Sequence, residues 1–105
     1  MAETILVIDD EPAIGRTLAP ILKTQGYSVE TAASAAEALR RARQTVFDVA
    51  LLDLGLPDGD GREIIGRLHS LSCRSVIVLS ARHQESEKVA ALDGGADDYL
   101  NKPFS

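Results

Sequence analysis

Four consecutive apolar residues, Ile5-Leu6-Val7-Ile8, run into the acidic pair Asp9-Asp10, and the pattern returns at Val49-Ala50-Leu51-Leu52 with Asp53 behind it. Apolar runs of this length bounded by polar residues read as strands covered on both faces. Strands are expected near residues 4–9, 28–31, 48–53, 76–79 and 98–101. Between them the spacing turns helical. Pro12 suits the first turn of a helix to about Gln25, with Ile14, Leu18, Ile21 and Leu22 on one face and Gly26 as its stop. Pro20 lies inside that helix, where it removes a backbone bond and predicts a kink. Ser34 and Glu37 have the spacing of a capping box that opens a helix to about Arg43. Residues 54–61, rich in Gly, Pro and Asp, read as a loop before a third helix from about Arg62 to His69. A fourth helix spans about Glu85 to Leu92 and is stopped by Gly94-Gly95. Strands alternating with helices predict a doubly wound α/β domain with a parallel five-stranded sheet.

In an open sheet of this kind ligands bind where the carboxyl ends of the strands meet. The residues at those ends are Asp9-Asp10, Asp53, Ser80 and, just past the last strand, Lys102. If the first and third strands are neighbours, three carboxylates share one crevice. Two unit charges about 4 Å apart repel by roughly 4 kcal/mol at an effective dielectric of about 20. Such a cluster calls for a cation, and oxygen-only ligation favours magnesium, calcium or manganese.

Composition narrows the class. The 105 residues fit one domain, and 45% hydrophobic with 26% charged content is ordinary globular usage. A formal net charge of −5 gives no overall electrostatic footprint for nucleic acid, so none is expected as a partner of this chain alone. No apolar run reaches the roughly 20 residues that a membrane span needs. Cys73 is the single cysteine, and Met1-Ala2-Glu3-Thr4 has no basic stretch ahead of the apolar run, so the expected compartment is the reducing cytoplasm. There is no internal repeat and no low-complexity segment.

The strand-end residues and their surroundings resemble the response-regulator receiver domains of two-component signalling. The matching segments are Asp9-Asp10-Glu11, residues 53–61, Leu79-Ser80-Ala81-Arg82, Gly94-Gly95-Ala96-Asp97-Asp98-Tyr99-Leu100 and Lys102-Pro103-Phe104, in family order along the whole chain. The segments around Asp53 and Gly95 are most similar to the receivers of winged-helix transcription factors. The resemblance implies a flavodoxin-like fold with strand order 2-1-3-4-5. It also implies phosphoryl transfer to Asp53 from the phosphohistidine of a sensor histidine kinase, and a Mg²⁺ ion held by Asp10, Asp53 and the Gly55 carbonyl, with Asp9 acting mainly through water. Ser80 matches the switch hydroxyl, Tyr99 the switch aromatic, and Lys102 the lysine that pairs with the phosphoryl oxygens. Its peptide bond to Pro103 is expected to be cis.

Blander readings compete at each position. Asp9-Asp10 alone suits a helix N-terminus, favoured by the dipole. Lys102 alone is a solvated lysine, and Tyr99 a half-buried strand aromatic. Asp58-Gly59-Asp60-Gly61 is not a calcium loop, because Arg62 occupies the fifth position. His69, His83 and Cys73 lack metal-ligand spacing and read as structural or surface residues. Arg40-Arg41-Ala42-Arg43 suits a helix C-terminus. Two other functions compete with the switch: a Mg²⁺-dependent aspartyl-phosphate phosphatase and an unphosphorylated interaction module. The first loses its general acid, because Gly55 stands two residues after the nucleophile; the intact acidic set argues against the second.

Family receivers carry a fifth helix after the Lys-Pro-Phe segment, and the chain stops before it. The face made by helix four, strand five and helix five serves dimerisation in the winged-helix subfamily, and Lys88, Asp97 and Asp98 match its salt-bridging positions. The expectation is a receiver domain over residues 1–105 lacking its last helix and any DNA-binding domain, with apolar surface uncovered beside the first helix and last strand. Such a domain is expected to be destabilised or to associate.

Overall fold

The structure, a computed structural model, describes residues 3–53, 61–80 and 85–101. Five strands, β1 (Thr4–Ile8), β2 (Ser28–Ala32), β3 (Phe47–Asp53), β4 (Cys73–Ser80) and β5 (Asp98–Asn101), alternate with helices α1 (Pro12–Thr24), α2 (Ala35–Gln44), α3 (Gly61–Leu71) and α4 (Glu85–Asp93). All strand pairs are parallel, in the order β2-β1-β3-β4-β5. This is the expected doubly wound architecture, with four helices among the described residues. Residues 54–60 with Gly55, residues 81–84 with His83, and Lys102-Pro103-Phe104 lie outside the described residues.

Alternation along the strands sorts the core into two faces. Leu6 and Ile8 stand beside Ala50 and Leu52, and these beside Val76 and Val78. All six are fully buried, in one cluster with Ala38, Leu39 and Ala42 of α2 and Ile64, Ile65 and Leu68 of α3. The opposite face is less covered. Ile5 and Val7 are buried, whereas Val49, Leu51 and Ile77 are half-buried among the described residues. Hence β1 is buried on both faces as its apolar run predicts, while β3 is dry on only one. Leu100 is exposed, as are Val89 and Leu92 of α4.

Helix ends follow local chemistry. Gly26 (φ 97°) and Gly95 (φ 110°) follow α1 and α4 in the left-handed region that side chains disfavour. The chain turns back there through Tyr27 N–H to the Leu22 carbonyl and Ala96 N–H to the Ala91 carbonyl, both at 3.1 Å. α1 continues unbroken through Pro20, so the expected kink does not interrupt it; Thr24 Oγ1 donates to the Pro20 carbonyl at 2.8 Å. Leu18 and Leu22 are half-buried, but Ile21 faces water, and the Ile14 side chain lies outside the described residues.

The capping box of α2 forms in altered form. Ser34 Oγ accepts the Glu37 N–H at 3.1 Å, while Glu37 Oε2 reaches past Ser34 to accept the Ala33 N–H at 3.4 Å. Glu37 Oε1 also meets Arg41, whose other nitrogen pairs with Glu30 at 2.9 Å. Ser34→Ala is expected to cost about 1 kcal/mol through the lost cap. A urea midpoint that does not move would show that Glu37 alone holds this helix start.

Candidate functional site

Parallel register decides which strand ends meet. Ile8 lies opposite Leu52, so the residues that follow them, Asp9 and Asp53, reach the same rim. Asp53 in turn lies opposite Leu79, one residue before Ser80, and Ser80 opposite Asn101, one residue before Lys102. Among the described residues the rim therefore gathers Asp9 and Asp10 after β1, Asp53 from β3 and Ser80 from β4.

Carboxylate oxygens of Asp9, Asp10 and Asp53 lie within 4.8 Å of one another. Asp9 is buried and Asp53 half-buried, whereas Asp10 is exposed, at the start of the segment leading into α1. Asp9 is anchored at both ends of its backbone turn. Its N–H donates to the Ala32 carbonyl of β2 at 3.0 Å, and its Oδ1 accepts the Glu11 N–H at 2.9 Å. That second bond closes the turn between β1 and α1 in which Asp10 sits. An all-oxygen donor set of this charge fits a hard divalent cation such as Mg²⁺.

Ser80 is buried at the end of β4, one residue past Leu79, the strand partner of Asp53. Tyr99 lies opposite Val78 and is buried in the core under the same face of the sheet. Gly55 and Lys102, expected to contribute a carbonyl and an ammonium group, lie outside the described residues.

Of the residues expected on a dimer face, Lys88 and Asp98 are exposed, and Asp98 Oδ1 accepts the N–H of its neighbour Tyr99 at 2.7 Å. Asp97 has a structural task that its sequence context does not announce. Its Oδ2 accepts the Val76 N–H at 2.7 Å and lies 3.2 Å from His69 Nε2. The His69 ring also reaches the Cys73 carbonyl with Nδ1 (3.2 Å) and the Gly95 carbonyl with Nε2 (3.0 Å). His69 thus ties the end of α3 to β4 and to the turn before β5, consistent with the structural role read for it. Asp97→Ala is expected to cost about 1–3 kcal/mol, since it strips a strand N–H of its acceptor. Asp97→Asn keeps an acceptor oxygen, and a loss as large as alanine's would rule out the hydrogen bond as the cause.

Cys73 starts β4 with its side chain buried, and burial pushes its thiol up from the ordinary range. A protonated thiol in the core is a poor nucleophile, which agrees with a purely structural residue.

A five-stranded parallel sheet of order 2-1-3-4-5 with an acidic cluster on its carboxyl rim defines a receiver-type fold, and residues 5–105 match the family described as Response regulator receiver domain. The chain belongs to that family. Among its relatives, the transcriptional regulatory protein KdpE of Mycobacterium tuberculosis is 54% identical over 100 residues, covering 95% of this chain and 44% of the relative. The KDP operon transcriptional regulatory protein KdpE of Escherichia coli is 51% identical over the same span and coverage. The chain therefore spans less than half the length of these relatives. Among solved structures, a Burkholderia pseudomallei response regulator with a phosphorylated aspartic acid, a calcium ion and citrate superposes with a TM-score of 0.92 at 35% identity, over 98% of this chain and 61% of that one. A CheY-like receiver from Methanospirillum hungatei gives 0.91 at 34% identity, over 100% and 85%. The chain is a receiver domain of the KdpE type, from two-component signalling. No helix among the described residues is long and apolar enough to cross a membrane.

Proposed function

We propose that Asp53 is the phosphoryl acceptor of a signalling switch loaded by a sensor histidine kinase and read out as transcription control by an effector domain. The observation that carries this reading is the three-carboxylate cluster of Asp9, Asp10 and Asp53 on the carboxyl rim. A carboxylate oxygen of Asp53 attacks the phosphorus of the kinase phosphohistidine. A P–O bond forms as the P–N bond breaks, and the imidazole keeps the bonding electron pair. Asp10, Asp53 and the Gly55 carbonyl would hold Mg²⁺, with Asp9 assisting through water. When bound, the ion supplies positive charge where the transferring oxygens are negative.

Lys102 supplies a second positive charge to those oxygens, and Ser80 donates a hydrogen bond to the attached phosphoryl group. Movement of Ser80 toward the phosphoryl group frees space beside Tyr99, converting charge at Asp53 into altered surface packing. Lys88, Asp97 and Asp98 belong to the face that carries this change to a second copy. The chain acts on itself rather than on a released substrate, so it assists its own phosphorylation and dephosphorylation and is not otherwise an enzyme. Its place is the cytoplasm.

Incubation of the wild-type chain with acetyl phosphate and Mg²⁺ is expected to add the mass of one phosphoryl group, read by intact mass spectrometry, and chelation by EDTA is expected to suppress it. An unchanged mass would remove the phosphoacceptor reading. Equal labelling with and without EDTA would remove the metal from it.

A further inference from the structure

A cleft of about 650 Å³ opens between α1 and the sheet edge formed by β1 and β2. This is a volume that accepts small organic ligands. Its floor is made by Val7, Thr31 and Ala32, and its wall by Gly15, Ala19 and Pro20 of α1. Gly15 lets the helix lie against β2, since a Cβ there would meet Thr31 Cγ2 at 3.3 Å. Pro20 places an apolar ring in the wall. It also withholds the N–H that would cap the Arg16 carbonyl one turn earlier on the same side of the helix.

Charge is divided between the two sides of this cleft. Asp9, Asp10 and Glu11 line the end that it shares with the acidic cluster. Glu37 also lines it, but its two carboxylate oxygens are engaged by Ala33 N–H and Arg41. Arg16 and Lys23 line the helical wall, two turns or about 10 Å apart along the axis. Neither has an ion-pair partner among the described residues.

We propose that the α1–β2 cleft is a binding site for a small organic anion with an apolar body. The carboxylate or phosphate group is held by Arg16 and Lys23, while the body lies against Ala19, Pro20 and Thr31. Two long cationic side chains on one helix edge can converge on a single anionic group, and the charge-assisted bonds they make are the strong ones. The acidic end favours a ligand with its anionic group directed away from Asp9 and Asp10.

The probe is 2-naphthoate, titrated into the ¹⁵N-labelled chain without Mg²⁺ and followed by amide shifts, with the uncharged 2-naphthalenemethanol as its comparison. Saturable shifts confined to residues 15–23 and 31–33 are expected, with at least tenfold weaker binding of the alcohol. Arg16→Gln with Lys23→Gln should weaken naphthoate at least tenfold while leaving the remaining spectrum in place, and Ala19→Trp should fill the cleft and abolish the shifts. Absence of saturable shifts, shifts that map elsewhere, or unchanged naphthoate affinity in the double Gln variant would overturn the proposal.

Discussion

Asp53→Asn, incubated with acetyl phosphate and Mg²⁺, will retain its unmodified mass, and its Mg²⁺-free form will melt above the wild type. The first outcome follows from removing the nucleophilic carboxylate under the proposed chemistry. The second follows from the three carboxylates whose oxygens lie within 4.8 Å. At that separation and an effective dielectric of about 20, each pair repels by about 3–4 kcal/mol. Water around the exposed Asp10 screens much of this, so a net gain of about 1 kcal/mol is expected, or about 4 °C in a domain of this size. Mg²⁺ reverses the ranking. At about 100 times its dissociation constant the ion stabilises the wild type by about 2.7 kcal/mol, and the Asn variant, short of one ligand, by much less. Thermal melts with and without Mg²⁺ measure both effects. A variant that melts below the wild type without Mg²⁺ would mean that the cluster is held by hydrogen bonds outweighing its repulsion.

Phe47→Ala is expected to lose about 3–5 kcal/mol, the cost of emptying a fully buried aromatic site. A domain of this length has about 5–15 kcal/mol in total, so a large part of the stability goes with one side chain. The neighbouring residue provides the contrast. Val46 is 62% exposed, and Val46→Ala should stay within about 0.5 kcal/mol. The difference arises where β3 begins: Phe47 pairs with Cys73 and donates its N–H to the Ser72 carbonyl at 3.3 Å. Ser72 Oγ donates in turn toward the Ala42 and Thr45 carbonyls, at 2.6 and 2.8 Å, so the side chain closes the seam between the α2–β3 and α3–β4 connections. Urea titrations of the two variants test the pair. Equal midpoints would refute the assignment of Phe47 as the anchor of this end of the sheet.

Elements were legible where a local pattern carried them and misplaced where pairing did. β5 begins and ends where its residues predict, and α1 starts at Pro12 as its fixed φ suggests. β4, by contrast, begins at Cys73 rather than near Val76. Cys73-Arg74-Ser75 offers no apolar run, and its strand conformation comes from pairing with Phe47 and Val49 more than twenty residues away in the chain. Likewise the β3 run reads as a two-sided strand, yet Val49 and Leu51 are half-buried because coverage of a face depends on which helices pack there.

The acidic residues of the candidate site were visible because each closes an apolar run, and chain order alone puts them at strand ends. Asp97 and His69 were not. Their partners Val76, Cys73 and Gly95 become neighbours only when α3, β4 and β5 are in register, and nothing local marks the contact. The α1–β2 cleft is equally invisible in the chain, since its floor and wall come from separate elements.

By itself the sequence determined the alternation of strands and helices, the parallel sheet and the identity of the acids that end β1 and β3. These rest on side-chain periodicity, capping and turn chemistry, which act over a few residues. Only the tertiary structure decided that the acids stand within 4.8 Å, that Asp97 holds β4, and that Arg16 and Lys23 flank a cleft. Those facts depend on strand register and helix packing, and both are set by the burial of apolar surface across the whole domain.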